Sequence, residues 1–251
     1  MKHNLKNITF NMPMLVDSND RVENIDLCID YILHHFDTNI SVCEMGTESK
    51  YKNPFGVEYE FIKTDSDKNH KTKILNILAR KCKTEFHSTY DVDVLLPVKA
   101  YIDGYNMLSS GNYDMVFPFD GRFFGVGRNH YGILRQNKNT DVLISGMFYP
   151  IVSDSVGGCV FWNTKSFISS GMENENFSGW GYEDTERYHR SVKLGLRIGR
   201  TSYPIFHVDH FRGPNSSHGE MYWRNKSIYD SITRMNADEL RRHISEWKWS
   251  K

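Results

Sequence analysis

Strand-like and helix-like segments alternate through the first ~110 residues, and this constrains the chain more than any other feature. Residues 8–14 read as a strand. Residues 20–36 read as a helix, because Val22, Ile25, Ile29, Ile32 and Phe36 recur at three- and four-residue steps and give one buried stripe. Strands follow over 40–44 and 57–63, then a helix over 71–82 with Ile74, Leu75 and Leu78 inward. The run Tyr90-Asp91-Val92-Asp93-Val94-Leu95-Leu96 reads as a strand that Pro97 stops, and a helix covers 98–108. This order predicts an α/β fold with a mostly parallel, doubly wound central sheet flanked by helices. Ligands of such sheets bind outside the carboxyl ends of the strands, which puts Asp91 and Asp93 at the functional rim.

The second half is less regular. Residues 115–119 read as a strand and 121–139 as a long loop or hairpin rich in Gly, Arg and Asn. Val156-Gly157-Gly158-Cys159-Val160-Phe161-Trp162 is a strand entered through two glycines, and a short helix over 164–170 follows with Asn163 as its cap. A helix starts at Glu183 and ends before Gly195, and 205–210 form a late strand or turn. From Met221 onward two helices are expected to pack back through Trp223, Ile228, Ile232, Leu240, Ile244 and Trp247. The whole reads as a single domain over 1–251, with a first half to about residue 110, a second from about 111 to 213 and a helical tail over about 214–251.

Composition narrows the function classes. Lys+Arg and Asp+Glu number 31 each, so the basic excess of a dedicated nucleic-acid binder is missing. No stretch approaches the ~20 apolar residues that span a bilayer, and no apolar signal region follows the N-terminus. Cys28, Cys43, Cys82 and Cys159 are scattered without a Cys-x-x-Cys, and read as reduced thiols of a cytosolic protein. Aromatics make up 14% of the chain, which suits stacking on sugar rings and equally suits core filling.

Three clusters carry candidate chemistry. Asp91-Val92-Asp93 can present two carboxylates to a hard divalent cation such as Mn²⁺ or Mg²⁺ beside substrate phosphates. About one Asp-x-Asp is expected by chance in a chain of this length. A second one, Asp65-Ser66-Asp67, sits in a hydrophilic stretch and reads as a solvated loop. The lead-in to the first, Lys83-Thr84-Glu85-Phe86-His87-Ser88-Thr89, is more polar than a central strand should be. His207-Val208-Asp209-His210 places two histidines three apart, either as further ligands or as ordinary core and surface groups. Gly179-Trp180-Gly181-Tyr182-Glu183-Asp184 sets a flat apolar ring between glycines, directly before two acids that open a helix.

In this order, the Gly157-Gly158 strand, the Trp180–Asp184 loop and the late His210 resemble the catalytic half of β1,4-galactosyltransferases and the related modules of bacterial chondroitin polymerases. The resemblance covers most of residues 8–213 and implies a GT-A fold with a Rossmann-like sheet. It implies that Asp93 and His210 ligate the metal, with His207 three residues earlier as a further ligand where the family often has Met. It implies that Asp91, with Val92 and Gly158, contacts the donor, that Pro13 cradles the uracil, and that Glu44 contacts the base or ribose. Asp184 matches the family's catalytic base, and Glu183 and Trp180 match residues that hold the acceptor sugar. Tyr182 and Thr185 depart from the family loop. Ser155 stands where the galactosyltransferases carry a bulky Tyr, which makes room for an N-acetyl group on the donor.

The expected activity is metal-dependent, inverting transfer of a hexose or N-acetylhexosamine from a UDP-sugar to a saccharide hydroxyl. The expected setting is bacterial surface-polysaccharide synthesis, in the cytoplasm or peripherally at the inner face of the membrane, with a lipid-linked acceptor as one option. Two other classes stay open on sequence. A glycan-binding module would use the aromatics without needing the acids and histidines together. A sugar-nucleotide pyrophosphorylase would need a glycine-rich loop after the first strand, where this chain has Asn11-Met12-Pro13-Met14-Leu15-Val16-Asp17.

Overall fold

A computed structural model describes residues 1–65, 70–213 and 219–250. Ser66 and Asp67 of the second Asp-x-Asp lie outside the described residues. The first half runs β1 (His3–Met14), α1 (Asn19–His35), β2 (Phe36–Gly46), β3 (Glu58–Lys63), α2 (Lys71–Lys81), β4 (Phe86–Tyr90), β5 (Val94–Leu95) and α3 (Val98–Ser109). The second half runs β6 (Met115–Phe117), β7 (Phe123–Val126), α4 (Tyr131–Asn137), β8 (Phe148–Val152), β9 (Cys159–Asn163), α5 (Thr164–Ser169), α6 (Glu183–Lys193), β10 (Ile198–Arg200), β11 (Ile205–Val208), α7 (Glu220–Arg234) and α8 (Ala237–Ser245).

The main sheet has seven strands in the order β10-β6-β9-β4-β1-β2-β3. It is mostly parallel, as the alternation predicts; β9 alone runs against its neighbours β4 and β6. Phe10, Met12, Val42, Phe161, Ile25 and Ile29 meet in the principal core. The helical stripe of α1 is buried as expected, except that Phe36 already belongs to β2, so the helix passes into the strand without a loop.

The Asp91–Asp93 segment is where the structure departs most from the expected strand. The strand is the polar run before it. All five residues of β4 are buried between β1 and β9. Polar side chains are tolerated there because several find hydrogen-bond partners. The His87 ring bonds Thr164 Oγ1 at 3.1 Å, and Ser88 Oγ donates to the Thr89 carbonyl. Burial pushes the His87 imidazole down to about 3, so it sits in the sheet neutral. Asp91 to Asp93 then leave the end of β4 as a turn.

A second sheet, in the order β5-β11-β7-β8, was not expected. The stretch read as a long loop or hairpin over 121–139 contains β7 and α4, and β7 pairs antiparallel with β8 beyond it. In the tail, Ile232, Leu240, Ile244 and Trp247 form their own cluster, and Arg190 lies over the Trp247 ring at 5.3 Å. Asn236 caps α8 in a capping box with Glu239. Trp223, expected inside, is 62% exposed. Trp247 packs in this cluster with the partly buried Trp249 against it, while Arg241, Arg242 and Lys248 are exposed. No described helix is long and apolar enough to cross a membrane.

Candidate active site

The two sheets meet at a cleft of about 860 Å³. Two backbone hydrogen bonds fix its floor. Asp91 N–H donates to the Gly158 carbonyl at 2.8 Å and ties the end of β4 to the start of β9. Val208 N–H donates to the Asp93 carbonyl at 2.8 Å, while β11 pairs antiparallel with β5, His207 opposite Val94. Residues far apart in the chain are thereby brought side by side.

Asp93 Oδ2 lies 3.3 Å from His210 Nε2 and 3.7 Å from His207 Nε2, and Arg21 Nη1 donates to it at 2.5 Å. Among the described residues, Asp93, His207 and His210 make up the one group whose ligand atoms could hold a metal ion, all within 4.8 Å of one another. Burial pushes the Asp93 carboxyl up, but His207, His210 and Arg21 outweigh it and hold the group well below the usual carboxylate range. His210 Nδ1 donates to the Phe211 carbonyl at 2.6 Å, which orients the ring so that Nε2 faces Asp93. One ionised carboxylate and two imidazoles are a donor set that fits Mn²⁺ and similar divalent ions.

At the opposite wall, α6 begins with Glu183 and Asp184, and Lys71 of α2 points between the acids. Its Nζ is 2.8 Å from Asp91 Oδ1, 3.4 Å from Asp184 Oδ2 and 3.7 Å from Glu183 Oε1. Burial opposes the Lys71 charge, but the three carboxylates outweigh it and push the ammonium up. Burial likewise opposes the charge on Asp184, yet Lys71 and Arg187 hold its carboxyl below the usual range. Glu183 goes the other way. Burial and the nearby Asp184 charge push it up to about 7. Asp91 is raised by burial, with Lys71 opposing. The glycines just before β9 make room for this wall: a Cβ on Gly157 would sit 2.4 Å from Asp184 Oδ2.

The tail helix builds the neighbouring face. Trp180 stacks on Tyr222 of α7, ring centroids 5.6 Å apart and planes within 17°. Asn225, fully buried, donates to the Ser178 carbonyl at 3.0 Å, and the Tyr182 and Tyr222 hydroxyls are 3.1 Å apart. Gly181 has φ +107°, and a Cβ there would come within 2.8 Å of the Tyr222 ring, so this packing needs glycine.

Known proteins confirm the architecture. Residues 142–213 match a family model described as the N-terminal domain of galactosyltransferase. No curated protein matches the chain in sequence. Among solved structures, GalNAc-T7 with UDP, GalNAc and Mn²⁺ is similar at a TM-score of 0.62 and 10% identity, over 98% of this chain and 52% of that one. The catalytic domain of Drosophila β1,4-galactosyltransferase 7 with xylobiose is similar at a TM-score of 0.53 and 14% identity, over 93% of this chain and 84% of that one. The chain has the GT-A glycosyltransferase fold. It spans about half the length of the GalNAc-T7 chain.

On this GT-A frame the cleft gathers most of the residues named from sequence. Pro13, Asp91, Val92, Asp93 and Gly158 line it, as do Trp180, Glu183, Asp184, His207 and His210. Ser155 lines it too, at the end of a loop pinned by Arg200. Glu44 is not brought there. It is 1% exposed, and its carboxylate accepts hydrogen bonds from the Lys50 and Tyr51 N–H groups and the Tyr59 hydroxyl, so it organises the turn after β2. Sequence reasoning missed Lys71, Arg21, Arg187 and Tyr222. Each is a single residue outside any motif, and only the tertiary fold brings it to the cleft.

Proposed function

We propose that this chain is a metal-dependent, inverting glycosyltransferase. It moves a hexose or N-acetylhexosamine from a UDP-sugar to a hydroxyl of a saccharide acceptor, in the synthesis of a surface polysaccharide. One observation carries the reading. A single cleft holds the Asp93–His207–His210 cluster at one side and the Trp180–Glu183–Asp184 constellation at the other. A cleft of about 860 Å³ at the ends of the strands has room for a nucleotide-sugar.

Asp93, His207 and His210 would hold the divalent cation. When bound, the cation neutralises charge on the departing diphosphate. Pro13 borders the uracil end and Asp91 the ribose. Lys71 lies between donor and acceptor acids and holds Asp91 and Asp184 in register.

Asp184 is the base. It is ionised near neutrality, whereas Glu183 is held at about 7 and is part-protonated there. The low basicity of Asp184 suits proton transfer that follows the attack: the acceptor hydroxyl becomes strongly acidic as its oxygen bonds the anomeric carbon. Glu183, able both to donate and to accept, suits a contact to acceptor hydroxyls, and Trp180 offers its face to the sugar ring. Attack opposite the leaving diphosphate gives a β-linked product from an α-linked donor. Proton NMR of a product made from an α-linked UDP-sugar tests this, and an α-linked product would overturn inversion.

Ser155 at the cleft leaves room for an N-acetyl group. UDP-N-acetylhexosamines should therefore be turned over, and Ser155→Tyr should lower kcat/KM for UDP-N-acetylgalactosamine relative to UDP-galactose by about tenfold or more. Equal effects on both donors would remove Ser155 as the donor gate.

A further inference from the structure

Arg187 lies one turn after Asp184 on α6 and is 1% exposed. Its Nη1 donates to Glu173 Oε1 at 2.9 Å. Its Nη2 is 2.8 Å from Asp184 Oδ1 and donates to the Val156 carbonyl at 3.1 Å. Glu173 is also 1% exposed, and Asn76 of α2 clamps its backbone from both sides, donating to its carbonyl at 2.9 Å and accepting from its N–H at 2.8 Å. A chain of buried contacts thus runs from α2 through Glu173 and Arg187 to the carboxylate of Asp184.

Glu173 alone would suffice to pair a buried guanidinium. The second arm of Arg187 instead grips a carboxylate that opens on the cleft, together with the backbone that borders it. Gly157 supplies the matching gap, since a Cβ there would lie 2.4 Å from Asp184 Oδ2. The carboxylate is therefore seated between a planar fork and a backbone surface, and its rotation is fixed on both sides.

We propose that Arg187 is a positioning residue for transfer: anchored by Glu173, it fixes the orientation of the Asp184 carboxylate and ties it to the backbone at Val156. The proposal rests on the reading of Asp184 as the base. The charged groups facing Asp184 are Lys71 from α2, Glu183 and Arg187 from its own helix, and Asp91 from the turn after β4. Of these, Lys71 and Arg187 favour its ionised form. Removing Arg187 therefore raises the acid limb of the rate profile, because one of two cations that stabilise the carboxylate is gone.

The test uses the full chain with Arg187→Met and Arg187→Lys, with kcat and donor KM measured against pH and melting temperature and UDP binding as controls. Arg187→Met should lower kcat about 100-fold with donor KM unchanged, and move the acid limb up by about one pH unit. Arg187→Lys keeps the charge without the fork, so its acid limb should stay at the wild-type position while kcat stays below wild type. Wild-type kcat and acid limb in a folded Met variant would overturn the proposal. So would loss of activity with no movement of the limb in either variant, which is what a purely structural arginine gives. If the Met variant does not fold, wild-type kcat in the Lys variant overturns it. Full transfer by Asp184→Asn would instead remove the base reading itself, a separate outcome.

Discussion

Asp184→Asn should lower transfer by about 10³–10⁴-fold while the protein still binds UDP with Mn²⁺ as the wild type does. The substitution keeps the size and shape of the side chain. It removes the charge that Lys71 and Arg187 stabilise, and with it the group that accepts the acceptor proton. The metal cluster keeps its contacts, because Asp93 directly precedes β5 and His207 and His210 lie on and just after β11. Kinetics with a saturating donor, beside calorimetric titration of UDP, separate the two effects. Activity within a few-fold of wild type would remove Asp184 from the base role and turn attention to Glu183, whose carboxyl is held at about 7.

The second large effect is expected for Asp93→Ala. In the wild type, Asp93 Oδ2 gathers Arg21, His210 and His207. Without the carboxylate, two imidazoles remain, together with a guanidinium whose charge repels a divalent ion. Groups one shell away from a metal commonly contribute 10–100-fold to its affinity, so loss of this ligand should weaken Mn²⁺-dependent UDP binding by more than about 100-fold. The measurement is UDP titration with and without Mn²⁺. The two curves should differ for the wild type and coincide for the variant. An unchanged Mn²⁺ dependence in Asp93→Ala would place the ion elsewhere.

How much of this was legible in the sequence follows from the length scale of each signal. The stripe of α1 could be read because Ile25, Ile29 and Ile32 repeat along one helix face, and all three are buried. The central strand β4 could not, because periodicity rewards apolar residues, and His87 and Ser88 find partners, Thr164 and Cys159, that lie far away in sequence. The small sheet was invisible for another reason. β5 is two residues long, and β7 and β11 four each, too short to show a period, so their pairing rests on one another.

The site divides in the same way. Asp93, Trp180, Asp184 and His210 sit in compact motifs, and the cleft brings the motifs together. Lys71 and Arg187 are lone charges on helices, and no local pattern tells a lysine that bridges three carboxylates from one on a solvated face. Glu44 is the opposite case. Its place near the end of a strand is legible, but three donors from its own turn and from β3 claim its carboxylate. The tail was read as packing, and Tyr222 and Asn225 show that it also forms the wall behind Trp180.

The most direct test of the central claim is nucleotide release. The purified chain is incubated with UDP-hexoses, UDP-N-acetylhexosamines and a GDP-sugar, each with Mn²⁺ or with chelator, in the presence of saccharide acceptors. The account predicts UDP release from at least one UDP-sugar that requires the metal and rises with acceptor. Release that is indifferent to the metal, or confined to the GDP-sugar, would contradict it.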